Sequence, residues 1–136
     1  MKKTATAQWQ GKGKEGSGKF SANSGLFNNV PYTFVNRFEK EEGTSPEELI
    51  AAAHASCFSM KLSIVLANAG FTTETLDTAC TITIESGVIT NSHLVVKVKA
   101  PGIDKAKFDE CAEDSRVNCP VSKVLRAEVS MEAVLV

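Results

Sequence analysis

Residues 51–60 read AAAHASCFSM, a run of small side chains that contains one histidine and one cysteine. A cysteine thiolate is a strong nucleophile, and small neighbours leave room around its sulfur for a substrate. Burial in a helix works against this chemistry, because an apolar environment raises the pKa of a thiol. Cys57 is therefore either a packing residue or a nucleophile that needs a nearby cation, for which His54 and Arg37 are the candidates.

The other three cysteines differ in their surroundings. Cys80 lies within a predicted strand and Cys111 on the apolar stripe of a predicted helix, so packing explains both. Pro120 follows Cys119 and starts a helical turn, which should leave the Cys119 sulfur near free backbone N–H groups that favour a thiolate. Cys119 is thus a second candidate for redox chemistry, with a packing role still open.

Three alternatives to redox chemistry can be drawn from the same residues. A zinc site is disfavoured, because the spacing of its candidate ligands fits no common zinc framework. Those candidate ligands are His54, Cys57, Cys111 and Cys119. A cysteine hydrolase that uses Cys57 and His54 is disfavoured, since no Asn or Asp is evidently placed to orient the histidine. The third alternative is a binding module for hydrophobic ligands in which the cysteines only pack.

Composition and charge limit the class of protein. The chain has 136 residues, the length of one domain, with 15 basic and 16 acidic side chains. This balance argues against binding to nucleic acid or to an anionic membrane. The N-terminal stretch lacks the apolar core of a signal peptide, and no uninterrupted apolar run reaches the ~18 residues that span a bilayer. We therefore expect a single domain over residues 1–136, located in the cytoplasm, where thiols stay reduced.

One long helix must position the histidine and the first cysteine. Ser45 is a good N-cap for a helix that starts at Pro46, and Glu48 completes a capping box. Helical residues continue to Ala69, and Gly70 provides the stop. The helix is apolar nearly all round, so we expect it to be central and buried on most sides.

Alternation of apolar and polar residues predicts six strands around this helix. The predicted strands are Thr4–Gln10, Lys19–Ala22, Val30–Phe38, Leu76–Glu85, Ser92–Ala100 and Ala127–Val136. In the third strand, Arg37 should point away from Phe38. A second helix is expected from an Asp104 cap to about Arg116, and a short one starts at Pro120. The order βββ-α-ββ-α-β of the longer elements predicts an α+β protein with mainly antiparallel sheets packed on a long central helix.

Two motifs in the chain are similar to those of a known family. The first motif runs from Arg37 to Met60. It begins with R-F-E and, after three residues, continues with G-T-x-P-E-E-L-I-x-A-A-H-A-x-C-F-S-M. The second is C-P-V-S-K-V-L, from Cys119 to Leu125. Both closely resemble the osmotically inducible protein C branch of the organic hydroperoxide resistance family, and the similarity covers essentially the whole chain. The resemblance implies a tightly intertwined homodimer with active sites near the subunit interface.

The resemblance also assigns roles to individual residues. Cys57 matches the peroxidatic cysteine of the family, and Cys119 matches its resolving cysteine. Arg37 matches the arginine that holds the thiolate, and Glu47 matches the carboxylate that orients this arginine. His54 matches a position that the family does not use for catalysis, which favours a hydrogen-bonded core histidine.

These matches imply a peroxidase that reduces organic hydroperoxides, and hydrogen peroxide more weakly, to alcohols. The Cys57 thiolate would become a sulfenic acid, and Cys119 would condense with it to a disulfide. An external dithiol of a lipoyl or similar type would then reopen the disulfide. No metal, haem or flavin is expected as a cofactor.

Overall fold

The computed structural model describes residues 1–39 and 43–136. Its strands are β1 (Ala5–Gln10), β2 (Ser17–Ala22), β3 (Val30–Thr33), β4 (Thr75–Glu85), β5 (Val88–Lys99) and β6 (Glu128–Leu135). Its helices are α1 (Phe34–Phe38), α2 (Pro46–Asn68), α3 (Lys105–Asn118) and α4 (Pro120–Val124). The predicted α+β class is confirmed.

The strands form two three-stranded sheets. In the first sheet, β1, β2 and β3 pair antiparallel in chain order. In the second sheet, the central strand β5 pairs antiparallel with β4 and parallel with β6. The parallel pair follows from the helical connection through α3 and α4, which returns the chain in the direction of β5. The chain divides into two units, Met1–Leu49 (the first unit) and Ile50–Val136 (the second unit), and each unit contains one sheet.

Helix α2 begins and ends close to the predicted residues. The backbone N–H of Glu48 donates to Ser45 Oγ at 3.2 Å, which is the predicted N-cap bond. At the other end, Gly70 adopts a φ of 91°, a conformation that costs glycine little. The N–H of Phe71 then donates to the carbonyl of Leu66 at 2.9 Å and closes the last turn.

One face of α2 contributes to the apolar core of the second unit. The buried side chains of this face are His54, Phe58, Leu62 and Leu66. Apolar side chains of β5 and α3 complete the core. On other faces of α2, Met60 is 64% exposed and Ile64 is 49% exposed. The prediction that α2 is buried on most sides is therefore wrong for the single chain, because the core covers only one stripe of the helix.

The length and composition of α2 also meet the criteria for a helix that spans a membrane. Its 18-residue window has a mean hydropathy of 1.6, although no uninterrupted apolar run reaches that length, and 22% of the window is buried. This is weak evidence for a membrane span, since the core helix of a soluble protein passes the same test. The row of side chains that α2 buries is typical of such a core helix.

The third predicted strand is wrong beyond Thr33. The strand β3 ends there, and the chain turns directly into α1. Thr33 Oγ1 accepts a hydrogen bond from the backbone N–H of Asn36 at 3.1 Å, and this cap competes with continued strand pairing. Within α1, the guanidinium carbon of Arg37 lies 4.8 Å from the ring centroid of Phe38. The prediction that Arg37 points away from Phe38 is therefore also wrong.

Candidate active site

Two of the four cysteines come together in the second unit. Cys57 lies in the middle of α2 and is partly exposed, whereas Cys119 is the N-cap residue of α4 and is fully buried. The two thiols lie within hydrogen-bonding reach of each other. The backbone N–H of Val121, in the first turn of α4, donates to the Cys57 sulfur. The start of α4 thus brings both a second thiol and a hydrogen-bond donor to Cys57.

Burial has the largest influence on the Cys57 thiol and raises its pKa. The hydrogen bond from Val121 lowers the pKa, while the neighbouring Cys119 thiol raises it, and the net pKa of Cys57 lies above its ordinary value. The expectation that burial opposes a thiolate at this position is confirmed. A reactive Cys57 needs a positive charge in addition to the backbone donor.

The start of α4 provides a backbone hydrogen-bond donor to Cys57, whereas the sequence predicted such donors for Cys119. The Cys119 side chain makes no capping hydrogen bond, because its sulfur is buried in the apolar core. The predicted proximity of free N–H groups of this helix to the Cys119 sulfur therefore gives no capping hydrogen bond. The donor at this helix start acts on Cys57 instead.

Arg37 and Glu47 form an ion pair in the first unit. Arg37 Nε donates to both carboxylate oxygens of Glu47, at 2.9 and 3.1 Å, and Nη2 donates to Oε1 at 2.5 Å. Burial raises the pKa of Glu47, but the hydrogen bonds and charge of Arg37 outweigh it and hold the pKa below its ordinary value. The hydrogen bonds to Glu47 also raise the pKa of Arg37. The carboxylate therefore fixes the direction of a permanently charged planar group.

His54 is fully buried between two serine hydroxyl groups. Its Nδ1 lies 2.7 Å from Ser92 Oγ, and its Nε2 lies 2.8 Å from Ser122 Oγ. Because both ring nitrogens have partners, neither is available as a general base for Cys57, which argues against the hydrolase alternative. Burial lowers the pKa of His54 and favours its neutral form. The interpretation of His54 as a hydrogen-bonded core residue is confirmed.

The remaining cysteines occupy packing positions. Cys111 on α3 is 3% exposed, and Cys80 on β4 is partly buried with its sulfur 3.3 Å from Ser92 Oγ. Burial raises the pKa of both thiols, which disfavours their reactive thiolate forms. Within residues 1–39 and 43–136, no group of three or more His, Cys, Asp or Glu side chains is arranged to hold a metal ion.

Three partners in this region are not predicted from the sequence. Val121 contributes only its backbone N–H, which leaves no signal in the residue type. Ser92 and Ser122 lie 38 and 68 positions after His54 in the chain. Local spacing cannot reveal partners at such separations, because it describes neighbours on one helix or strand only.

The two sheets, the long helix and the contacting thiols define an α+β protein with a cysteine pair suited to thiol redox chemistry. The sequence model of the OsmC-like protein family matches residues 39–134. Peroxiredoxin OsmC of Escherichia coli (strain K12) is 46% identical over 134 residues, which cover 96% of this chain and 94% of that protein. The chain belongs to the OsmC-like protein family.

Solved structures of proteins from several bacteria have the same fold. An OsmC-like protein from Mycoplasma pneumoniae is similar with a TM-score of 0.76 and 14% identity, over 100% of this chain and 98% of that one. The organic hydroperoxide resistance protein OhrB of Bacillus subtilis is similar with a TM-score of 0.63 and 22% identity, over 98% of both chains. At these identities the likeness concerns the fold.

The ion pair of Glu47 predicts a stability difference that depends on pH. The folded-state pKa of Glu47 lies below its ordinary value of 4.5, so the stabilisation is fully present above that value and is lost as the pH falls through the folded-state pKa. Because the Arg37 side chain is 39% exposed, we expect Glu47→Gln to cost only about 0.5–1 kcal/mol at neutral pH. Urea denaturation at neutral pH and at about pH 3 measures this cost, which should be smaller at the lower pH.

A second glutamate provides the comparison for this measurement. Glu113 pairs with Arg116 through a similar fork but is 56% exposed, so Glu113→Gln should show a smaller difference between the two pH values. An equal loss of stability at both pH values in Glu47→Gln would contradict the assignment of the effect to its charge.

Proposed function

We infer that this protein is a thiol-dependent peroxidase that reduces organic hydroperoxides. The observation that carries this inference is the contact between the Cys57 and Cys119 thiols at the start of α4, in a chain that belongs to the OsmC-like family. A relative with 46% identity is named a peroxiredoxin, and proteins with the same fold are named organic hydroperoxide resistance proteins.

In the proposed reaction, the Cys57 thiolate attacks one oxygen of the hydroperoxide and the O–O bond breaks. The organic oxygen leaves as an alcohol after it takes up a proton, and Cys57 keeps the other oxygen as a sulfenic acid. Cys119 then condenses with the sulfenic acid to form a disulfide and water. An external dithiol, of a lipoyl or similar type, reduces this disulfide and restores both thiols.

We propose that Arg37 supplies the positive charge that the Cys57 thiolate requires. Burial raises the pKa of Cys57, and a guanidinium can offset this effect because it stays protonated at all relevant pH values. The same charge would stabilise the negative charge that develops on the leaving oxygen. Glu47 is the proposed positioning residue, since its bidentate hydrogen bonds fix the guanidinium plane.

We further propose that the active form is a homodimer. Met60 and Ile64 leave a substantial apolar area of α2 exposed in the single chain. Burial of this remaining apolar area against a second copy favours the assembly, because it removes apolar surface from water. The family resemblance of the sequence supports the same arrangement.

We also propose that residues 1–136 form a single domain and that the protein is located in the cytoplasm. The cytoplasm keeps cysteines reduced. A peroxidase cycle requires reduced Cys57 and Cys119 at its start, so a reducing compartment suits the proposed chemistry.

A ligand-binding module remains the second candidate function. The first unit contains a largely apolar cavity of about 270 Å³. Its lining residues are Ala5, Thr6, Ala7, Phe20, Tyr32, Pro46 and Leu49. The two candidates differ in their response to an alkyl hydroperoxide, since only a peroxidase loses two thiols per chain and recovers them with a dithiol.

Cysteine variants test the proposed reaction most simply. Cys57→Ser should abolish peroxide consumption, because no other residue is proposed as the nucleophile. Cys119→Ser should react once, accumulate a sulfenic acid at Cys57 and then overoxidise. Peroxide consumption with a dithiol, followed by mass spectrometry of the Cys57 peptide, measures both effects. Cys111→Ser is the control and should keep wild-type turnover, whereas wild-type turnover in Cys57→Ser would contradict the mechanism.

Arginine variants test the proposed source of positive charge. Arg37→Met should raise the pKa of Cys57 and slow its reaction at neutral pH by about tenfold for each pKa unit, or ~1.4 kcal/mol. Arg37→Lys should rescue poorly, because an ammonium cannot reproduce the planar fork to Glu47. The absorbance of the thiolate is measured as a function of pH, with Cys57→Ser as the blank, and this absorbance follows the titration of Cys57.

Arg116 offers a matched control for these variants, since Glu113 holds it through a similar fork. Arg116→Met should leave the Cys57 titration at its wild-type position. An unchanged Cys57 titration in Arg37→Met would show that Arg37 does not support the thiolate.

The proposed dimer predicts an effect of charge on the exposed face of α2. A Met60→Asp/Ile64→Asp variant should raise the dimer dissociation constant by tenfold or more, because a carboxylate at a buried interface loses its hydration. Sedimentation velocity over a range of concentrations measures this change. Val88→Asp, at the similarly exposed start of β5, is the control. A wild-type protein that stays monomeric at all concentrations would contradict the dimer.

A further inference from the structure

His54 joins two elements that carry the cysteine pair. It lies three residues before Cys57 on α2, and its partner Ser122 lies three residues after Cys119 on α4. Its other partner, Ser92, lies on β5 and anchors the imidazole to the sheet. The buried ring therefore connects the helix of one thiol, the segment of the other thiol and the sheet.

The helix α4 needs such external contacts to hold its position. It has five residues and its N-cap side chain makes no capping hydrogen bond. Helices of this length have little stability of their own, so tertiary contacts must fix them. On its outer side Val124 is 76% exposed and offers no packing. On its inner side Val121 packs against the apolar core of the second unit. The polar contacts of α4 with α2 are two hydrogen bonds, from the Val121 N–H to Cys57 and between the Ser122 hydroxyl and His54.

Only one of these two contacts survives the first chemical step unchanged. Oxidation of Cys57 places an oxygen on the sulfur that accepts the Val121 N–H, so that hydrogen bond must rearrange. The bond between His54 and Ser122 involves no reacting atom and persists. Together with the apolar packing of Val121, it therefore holds α4 against α2 until the second thiol reacts with the sulfenic acid.

We propose that His54 is a positioning residue for disulfide formation, because its hydrogen bond to Ser122 holds Cys119 within reach of oxidised Cys57. This inference rests on the proposed peroxidase function. In the step concerned, the Cys119 sulfur attacks the Cys57 sulfur and the S–O bond of the sulfenic acid breaks. The hydroxyl leaves with the thiol proton as water. Cys119 is oxidised and the Cys57 sulfur is reduced as the S–S bond forms.

The test uses Ser122, because replacing His54 would also remove its bond to Ser92. Reduced full-length protein is mixed with tert-butyl hydroperoxide, quenched at intervals and alkylated, and mass spectrometry follows the sulfenic acid and the disulfide separately. Ser122→Ala should form the sulfenic acid at the wild-type rate. Its disulfide should form about tenfold more slowly, the factor that corresponds to ~1.4 kcal/mol, and the fraction of overoxidised Cys57 should rise.

Two further variants separate positioning from general stability. Ser122→Thr keeps the hydroxyl group and should restore the rate of disulfide formation. Ser59→Ala is the matched control, since it removes a 2.8 Å hydrogen bond between α2 and Thr78 on β4 and leaves α4 untouched. It should lower the thermal midpoint about as much as Ser122→Ala does, without slowing disulfide formation.

The outcomes distinguish this inference from the function on which it rests. A wild-type protein that does not react with the hydroperoxide refutes the peroxidase proposal itself. If the wild type reacts, an unchanged rate of disulfide formation in Ser122→Ala overturns the role of His54. Equal slowing in Ser122→Ala and Ser59→Ala, in proportion to their loss of stability, overturns it as well.

Discussion

The contact between the start of α4 and the middle of α2 is the constraint on which the rest of the site depends. It places a buried Cys119 beside Cys57 and turns the Val121 N–H toward the Cys57 sulfur. The five residues of α4 cannot maintain this arrangement alone. The core of the second unit, to which α2, β5 and α3 contribute, must therefore fix this short helix.

The same packing disfavours the charged thiolate form of Cys57. Burial raises the pKa of the Cys57 thiol, and the single backbone donor does not reverse the shift. A peroxidase needs the thiolate, so a permanent cation must act on this sulfur in the proposed mechanism. The Arg37–Glu47 pair suits that role, because the carboxylate both orients the guanidinium and keeps it charged. In the proposed mechanism, the reactivity of Cys57 therefore depends on Arg37 and Glu47, which lie 20 and 10 positions before it in the chain.

Local signals in the sequence were sufficient for much of the fold. The cap at Ser45 and the stop at Gly70 define α2, since both act through neighbouring backbone groups. The alternation in Val30–Phe38 was misleading, because the Thr33 cap outweighs it and creates α1. Family motifs indicate the candidate site residues, whereas the Val121 donor and the serine partners of His54 depend on packing between distant segments. The exposure of Met60 was missed because hydrophobic pattern alone does not say how many faces one chain can cover.

The central claim is that Cys57 and Cys119 act as one redox pair. Peptide mapping by mass spectrometry tests it directly, after reduced protein has reacted with one equivalent of an organic hydroperoxide. The account predicts a single disulfide between Cys57 and Cys119, with Cys80 and Cys111 still reduced. A disulfide that joins Cys80 to Cys111, or a stable oxidised Cys57 beside an unreacted Cys119, would contradict it.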